Sequence, residues 1–213
     1  MAIEAVIFDF DGVIADSKKT IFRIYEAMCR EMGLEFYNSL SDFLKNVDGN
    51  YMHFYMKLGI RKSEFERANR VYKKHFLRLG DGIEMFRGVD VLLHTLKSRD
   101  FKIGICSNTH EFIVNSLLKK FGVEKYVDAV VGGNDAEKLK PDPHIILLAM
   151  KRMGVNPGHT AYVGDMEADM LAGKAANVRK LIAVTYGFHS KEMLERFDPD
   201  AVVDTPEEIL GKL

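Results

Sequence analysis

The chain has no tryptophan, two cysteines and five prolines in 213 residues. Cys29 and Cys106 both sit in apolar patterns and read as buried free thiols. They form no disulfide framework, and a reducing cytoplasm is the expected setting. No charge of one sign dominates, with 30 basic against 31 acidic residues. A nucleic-acid partner therefore has no electrostatic support. No apolar run approaches the ~20 residues of a membrane span, so no membrane partner is expected. The N-terminus passes straight into a strand carrying Glu4, which argues against a secretory signal. Internal repeats and low-complexity tracts are absent. What remains is a chain with 47% hydrophobic residues, sufficient for one large core or for one domain with an insertion.

Residues 3–17 stand out. Ala5-Val6-Ile7-Phe8 is a short apolar run of the kind that forms a fully buried strand. It ends in Asp9-Phe10-Asp11-Gly12. Two carboxylates at the end of a buried strand are costly unless something neutralises them, and a divalent cation would do so. Side chains at i and i+2 of a strand share a face, so Asp9 and Asp11 are expected to face one cavity. They suit a nucleophile with a neighbouring acid/base, or a plain solvated strand end or helix cap.

Helical periods follow over 18–33, 39–46, 50–58 and 63–79, with no convincing strand between Asp16 and Arg87. Strands and helices then alternate. Strands are expected at 102–106, 126–131, 160–163, 180–185 and 201–203. Helices are expected at 88–99, 110–121, 141–153, 168–176 and 190–197, and from Pro206. This alternation predicts an α/β fold, a doubly wound parallel sheet with an inserted all-helical cap. The expected division is a core of residues 1–15 and 87–213 and a cap of residues 16–86. Ligands bind such sheets beyond the carboxyl ends of the strands.

Three polar clusters follow strand ends. Asp9 and Asp11 make the first. Ser107-Asn108 makes the second, as a polar turn or as donors to a phosphate. Asp165 and Asp169 straddle the start of a helix, as caps or as metal ligands. Oxygen-only ligands suit Mg²⁺, and no Cys/His set has zinc spacing. Lys140 precedes Pro141-Asp142-Pro143. It reads as a surface lysine, or as a cation that binds phosphate and screens the clustered carboxylates.

Asp9-Phe-Asp-Gly-Val-Ile-Ala-Asp-Ser17, Ser107-Asn108, Lys140-Pro141 and Gly164-Asp165-Met-Glu-Ala-Asp169 together resemble the four ordered motifs of the haloacid dehalogenase-like hydrolase superfamily. The resemblance spans essentially the whole chain, helical insertion included. It implies that Asp9 attacks phosphorus to form an aspartyl-phosphate and that Asp11 is the acid/base. It further implies that Mg²⁺ is held by Asp9, the Asp11 main-chain carbonyl and Asp165, with Asp169 assisting directly or through water. Ser107, the Asn108 backbone and Lys140 would hold the phosphoryl oxygens. The superfamily's dehalogenases lack the second Asp, so Asp11 favours phosphoryl transfer.

The tail, Thr185-Tyr-Gly-Phe-His-Ser190 and Asp198-Pro-Asp-Ala-Val-Val-Asp204, is similar to the phosphoglycolate phosphatase-like branch. The implied activity is Mg²⁺-dependent hydrolysis of a small phosphate monoester, with 2-phosphoglycolate the leading substrate. A pyrophosphatase and a phosphomutase of the β-phosphoglucomutase type are the alternatives, and a non-catalytic binding protein comes last. The expected partner is a small phosphorylated metabolite, acted on by a monomer or homodimer. Within the insertion, Asp48–Tyr55 is a candidate substrate loop. His53 and Lys57 are candidate substrate contacts, and His110 is a candidate for the pocket rim.

Overall fold

The computed structural model describes residues 2–213. In chain order the elements are β1 (Ala5–Phe8), β2 (Ala15–Asp16), α1 (Lys18–Met32), α2 (Leu40–Asn46), α3 (Tyr51–Lys57), α4 (Phe65–Leu79) and β3 (Glu84–Met85). There follow α5 (Val89–Ser98), β4 (Lys102–Cys106), α6 (Glu111–Phe121), β5 (Ala129–Val131), α7 (His144–Met153) and β6 (Thr160–Gly164). The chain finishes with α8 (Glu167–Ala175), β7 (Lys180–Val184), α9 (Lys191–Glu195), β8 (Ala201–Val203) and a 3-10 segment, Pro206–Lys212.

Six strands form one sheet in the order β5-β4-β1-β6-β7-β8, with every pairing parallel. β1 lies at its centre because all four of its residues are apolar and fully buried. Val6 and Phe8 pack into the core on one face, Ala5 and Ile7 into the core on the other. Burying a side chain such as Phe8 contributes about 1.5–3 kcal/mol. Strand order reverses across β1, which makes this the switch point where such sheets hold ligands. Phe8 pairs in register with Ile105 of β4 and Val163 of β6. The chain segments that leave these three strands therefore emerge side by side.

α1 to α4 form a separate layer with its own core of Ile21, Tyr25, Met28, Phe43, Phe54 and Tyr55. Met166 and Phe188, which follow sheet strands, belong to that same apolar cluster and join the layer to the sheet. The two chain crossings between layers pair as a short antiparallel ribbon, Ala15 with Met85 and Asp16 with Glu84. This ribbon corrects the expectation of no strand between Asp16 and Arg87. At two residues per strand it leaves no periodic signal.

Two further boundaries differ from expectation. The strand expected over 126–131 spans Ala129–Val131, because Glu124–Tyr126 form a 3-10 turn. Asp128 ends that turn: its N–H donates to the Ile103 carbonyl, and its carboxylate accepts the Ile103 N–H and Lys97. The helix expected from Pro141 begins at His144, whose N–H donates to Asp142 Oδ1. Asp142 precedes a proline, and the α conformation is disfavoured at such a position. Among the described residues no helix is long and apolar enough to cross a membrane.

Candidate active site

Asp9 follows β1, Ser107 follows β4 and Asp165 follows β6. The adjacency of these strands brings the three residues together. Asp169 joins them from the first turn of α8, and Lys140 from the segment before α7. Asp9, Ser107, Lys140, Asp165 and Asp169 are all buried. Asp9, Asp11, Ser107, Asn108, Lys140 and Asp169 line a cavity of about 410 Å³ at this sheet end, with Asp165 clustered beside Asp9 and Asp169.

Asp9 Oδ1 accepts the Phe10 N–H at 2.7 Å and lies 2.7 Å from Lys140 Nζ. Its second oxygen takes no hydrogen bond from the described residues, and Asp9 lines the cavity floor. Burial, followed by the Asp169 carboxylate, raises the Asp9 pKa to about 8 against the opposing pull of Lys140. Burial lowers the Lys140 pKa, but Asp169 and Asp9 outweigh it and hold the ammonium above its usual range. Lys140 is therefore a fixed cation among carboxylates.

Asp169 is fully engaged. Its Oδ1 accepts from Lys140 Nζ at 2.7 Å and from the Tyr162 hydroxyl at 2.8 Å. Its Oδ2 accepts the backbone N–H groups of Asp165 and Met166 at 3.2 and 3.0 Å. A carboxylate at a helix start favours these contacts. Asp165 is less satisfied. Its Oδ2 accepts the Phe188 N–H at 2.6 Å, while its Oδ1 is buried without a hydrogen-bond partner among the described residues. Burial, then Asp169 and Asp9, push the Asp165 pKa well above the carboxylate range.

An orphaned buried carboxylate oxygen is expensive, and it points to a ligand. Oxygens of Asp9, Asp165 and Asp169 all lie within 4.8 Å of one another. An all-oxygen set of this size fits a hard divalent cation. Close backbone packing shapes the site. A Cβ on Gly12 or on Gly187 would collide with the Asp165 carboxylate, and Gly12 sits at φ +85°.

Asp11 Oδ2 accepts from the Thr109 hydroxyl at 2.8 Å. Burial raises the Asp11 pKa, and the Ser17, Thr109 and Ser107 hydroxyls and Lys140 oppose the rise. Ser17 Oγ is buried without a hydrogen-bond partner among the described residues. Ser107 Oγ accepts the Thr109 N–H at 3.0 Å. The Asn108 side chain is structural. Its Nδ2 donates to the Gly49 carbonyl of the helical layer and to the Lys140 carbonyl, and its Oδ1 accepts the Lys140 N–H.

The helical layer roofs the cavity. Asp48, Gly49, Tyr51 and Tyr55 line it, as expected of the 48–55 loop, and His110 lines it from the sheet side. His53 and Lys57 do not line it. They flank Asp48 instead, at 3.9 and 3.3 Å.

Thr109, Tyr162 and Phe188 escaped the sequence reading as site residues. Thr109 directly follows Ser107-Asn108, so proximity to that motif was a usable signal. Phe188 lies in the 185–190 segment, but it serves Asp165 through its main chain, which leaves no side-chain signature. Tyr162 is hidden in an apolar strand, with only its hydroxyl reaching Asp169 and Lys140.

Comparison with known proteins agrees with this geometry. The pyrophosphatase PpaX of Oceanobacillus iheyensis is 28% identical over 99% of this chain and 96% of its own length. The phosphoglycolate phosphatase of Aquifex aeolicus is 30% identical over 85% of each chain. The solved structure of a haloacid dehalogenase-like family hydrolase from Streptococcus pneumoniae superposes with a TM-score of 0.83 at 21% identity, over 98% of this chain and 97% of that one, which bears on the fold. The model of the haloacid dehalogenase-like hydrolase family matches residues 6–184. By sequence, fold and the placement of its buried carboxylates, this chain belongs to the haloacid dehalogenase-like hydrolase family.

Proposed function

We propose that the chain is a Mg²⁺-dependent phosphatase that hydrolyses a small phosphate monoester, with 2-phosphoglycolate the first candidate, through an aspartyl-phosphate on Asp9. The observation that carries this reading is the buried cluster of the Asp9, Asp165 and Asp169 carboxylates, in which Asp165 Oδ1 has no hydrogen-bond partner among the described residues. The phosphoglycolate phosphatase relative supports the substrate. We assign residues 1–15 and 87–213 to the catalytic core and 16–86 to the cap.

Asp9, Asp165 and the Asp11 main-chain carbonyl would hold Mg²⁺. Asp169 would assist through water, because its own oxygens are taken by four protein donors. The ion, when bound, neutralises the carboxylate cluster and offsets charge on the phosphoryl oxygens. Lys140 holds Asp9 Oδ1, so that Oδ2 is the oxygen free to attack phosphorus. Lys140, Ser107 and the Asn108 N–H are the donors for the phosphoryl oxygens. Asp11 gives its proton to the leaving oxygen and then takes one from the water that cleaves the aspartyl-phosphate. Its raised pKa suits the first of these roles and its hydroxyl neighbours suit the second. Two in-line transfers replace one difficult displacement.

The test is phosphate release from 2-phosphoglycolate, pyrophosphate and hexose phosphates with Mg²⁺. Release from at least one ester, lost with EDTA and in Asp9→Asn, is the expected result. Undiminished turnover by Asp9→Asn overturns the nucleophile. Rearrangement of a hexose phosphate without phosphate release would instead identify a mutase. The same assay on cytoplasmic metabolite extracts would place the physiological substrate.

A further inference from the structure

The roof of the cavity holds four tyrosines, Tyr25, Tyr51, Tyr55 and Tyr72. They are not equivalent. Tyr55 Oη already donates to Asn69 Oδ1 at 3.0 Å. Among the described residues the Tyr25 and Tyr72 hydroxyls have no hydrogen-bond partner. Tyr25 is 7% exposed, with its ring held edge-on against Phe54 at 4.9 Å and tilted on Tyr72 at 5.2 Å. Such packing fixes the ring and leaves the phenol oxygen as its one open group. That oxygen opens on the cavity, because Tyr25 lines it and is otherwise enclosed.

The same two phenols line one cavity with Asp11. Burial first, then the neighbouring phenols, Cys29 and Asp11, keep Tyr25 protonated, and burial and Asp11 do the same for Tyr72. Asp11 is the group that serves the leaving oxygen of the ester. Hydroxyls on the helical roof of that cavity, away from the sheet-end donors Ser107 and Lys140, are placed to meet the leaving group and not the transferred phosphoryl group. A donor that opens on the cavity without a protein partner is satisfied by a ligand that encloses it and supplies an acceptor, and a ligand lacking that group leaves it desolvated and unpaired.

We propose that Tyr25 and Tyr72 are specificity-determining residues whose hydroxyls hydrogen-bond an oxygen substituent, carboxylate or hydroxyl, on the leaving group of the phosphate ester. This rests on the phosphatase reading above and deepens it. The two phenols recognise oxygen atoms next to the ester carbon, such as the carboxylate of 2-phosphoglycolate or the hydroxyls of a polyol phosphate, so the enzyme prefers these esters over alkyl phosphates of equal size.

Tyr25→Phe and Tyr72→Phe each remove one oxygen and keep the ring packing. The measurement is kcat/KM for glycerol 1-phosphate and for propyl phosphate, which share a carbon skeleton and differ in two hydroxyls. The wild type is expected to favour glycerol 1-phosphate. Each variant is expected to lower that preference by about tenfold, the worth of one buried hydrogen bond, largely through KM. Thermal melting checks that each variant is folded, and the two variants test the proposal separately. Wild-type turnover with a preference unchanged in both variants overturns this inference and leaves the phosphatase reading standing. Absence of turnover on either ester and on the wider panel overturns both.

Discussion

Lys140 and Asp169 form a buried ion pair, with Nζ 2.7 Å from Oδ1 and both side chains almost fully enclosed. The same ammonium lies 2.7 Å from Asp9 Oδ1. The first turn of α8 thus sets the position of the residue that follows β1. Replacing Lys140 leaves Asp9, Asp165 and Asp169 as three buried carboxylates without a cation. Lys140→Met is expected to destabilise the metal-free protein by about 3–5 kcal/mol, as for other broken buried pairs. Urea unfolding followed by circular dichroism measures this, and a loss below about 1 kcal/mol would show that the pair holds nothing.

Asp9→Asn separates stability from chemistry. It removes one of the mutually repelling carboxylates and preserves the side-chain shape. Turnover is expected to fall by about four orders of magnitude or more, since a lost nucleophile disables the groups that act with it. The melting temperature of the metal-free protein is expected to hold or to rise. Phosphate release and a thermal melt on the same preparation check both halves.

The carboxylate cluster predicts how metal stabilisation depends on pH. Asp9 and Asp165 have raised pKa values in the fold, to about 8 for Asp9. The metal-free fold therefore binds more protons than the unfolded chain. The stability these groups provide is present below the unfolded carboxylate value near 4 and is lost as pH rises through the folded value. A cation competes with those protons. The rise in melting temperature on adding Mg²⁺ should be small at pH 5 and large at pH 8. At a hundredfold excess over Kd the stabilisation is about 2.7 kcal/mol. Equal shifts at both pH values would remove the carboxylates from the metal site.

Gly187 bears on the same site through space alone. A Cβ there would collide with the Asp165 carboxylate. Gly187→Ala is expected to weaken Mg²⁺ binding by about 10–100-fold, the usual cost of disturbing a metal ligand's support. Titration calorimetry with Mg²⁺ measures it. Gly211→Ala is the control, because a Cβ at Gly211 meets nothing. Equal affinity in the two variants would count against the role given to Asp165.

Much of this was legible from the chain. Ala5-Val6-Ile7-Phe8 announces a central strand because four consecutive apolar residues need burial on both faces. Asp9, Ser107 and Asp165 could be grouped because each follows such a run. The β2–β3 ribbon was not legible, being too short for a period. Nor was the start of α7, where Asp142 and the proline after it outweigh the apolar pattern.

By itself, the sequence determined the α/β layout, the helical insertion after the first strand and the identities of the charged residues at three strand ends. These depend on local periodicity and on what cannot be buried unpaired, both of which are written in residue order. Only the tertiary structure decided how those charges are shared. Asp169 takes four protein donors while Asp165 keeps one oxygen orphaned, and Asn108 ties the helical layer to the sheet with its side chain. Tyr162 reaches Asp169 from inside an apolar strand, and Phe188 serves Asp165 with its main chain. Hydrogen-bond partners are set by distances of a few ångströms between segments far apart in the chain, and no local pattern encodes those distances.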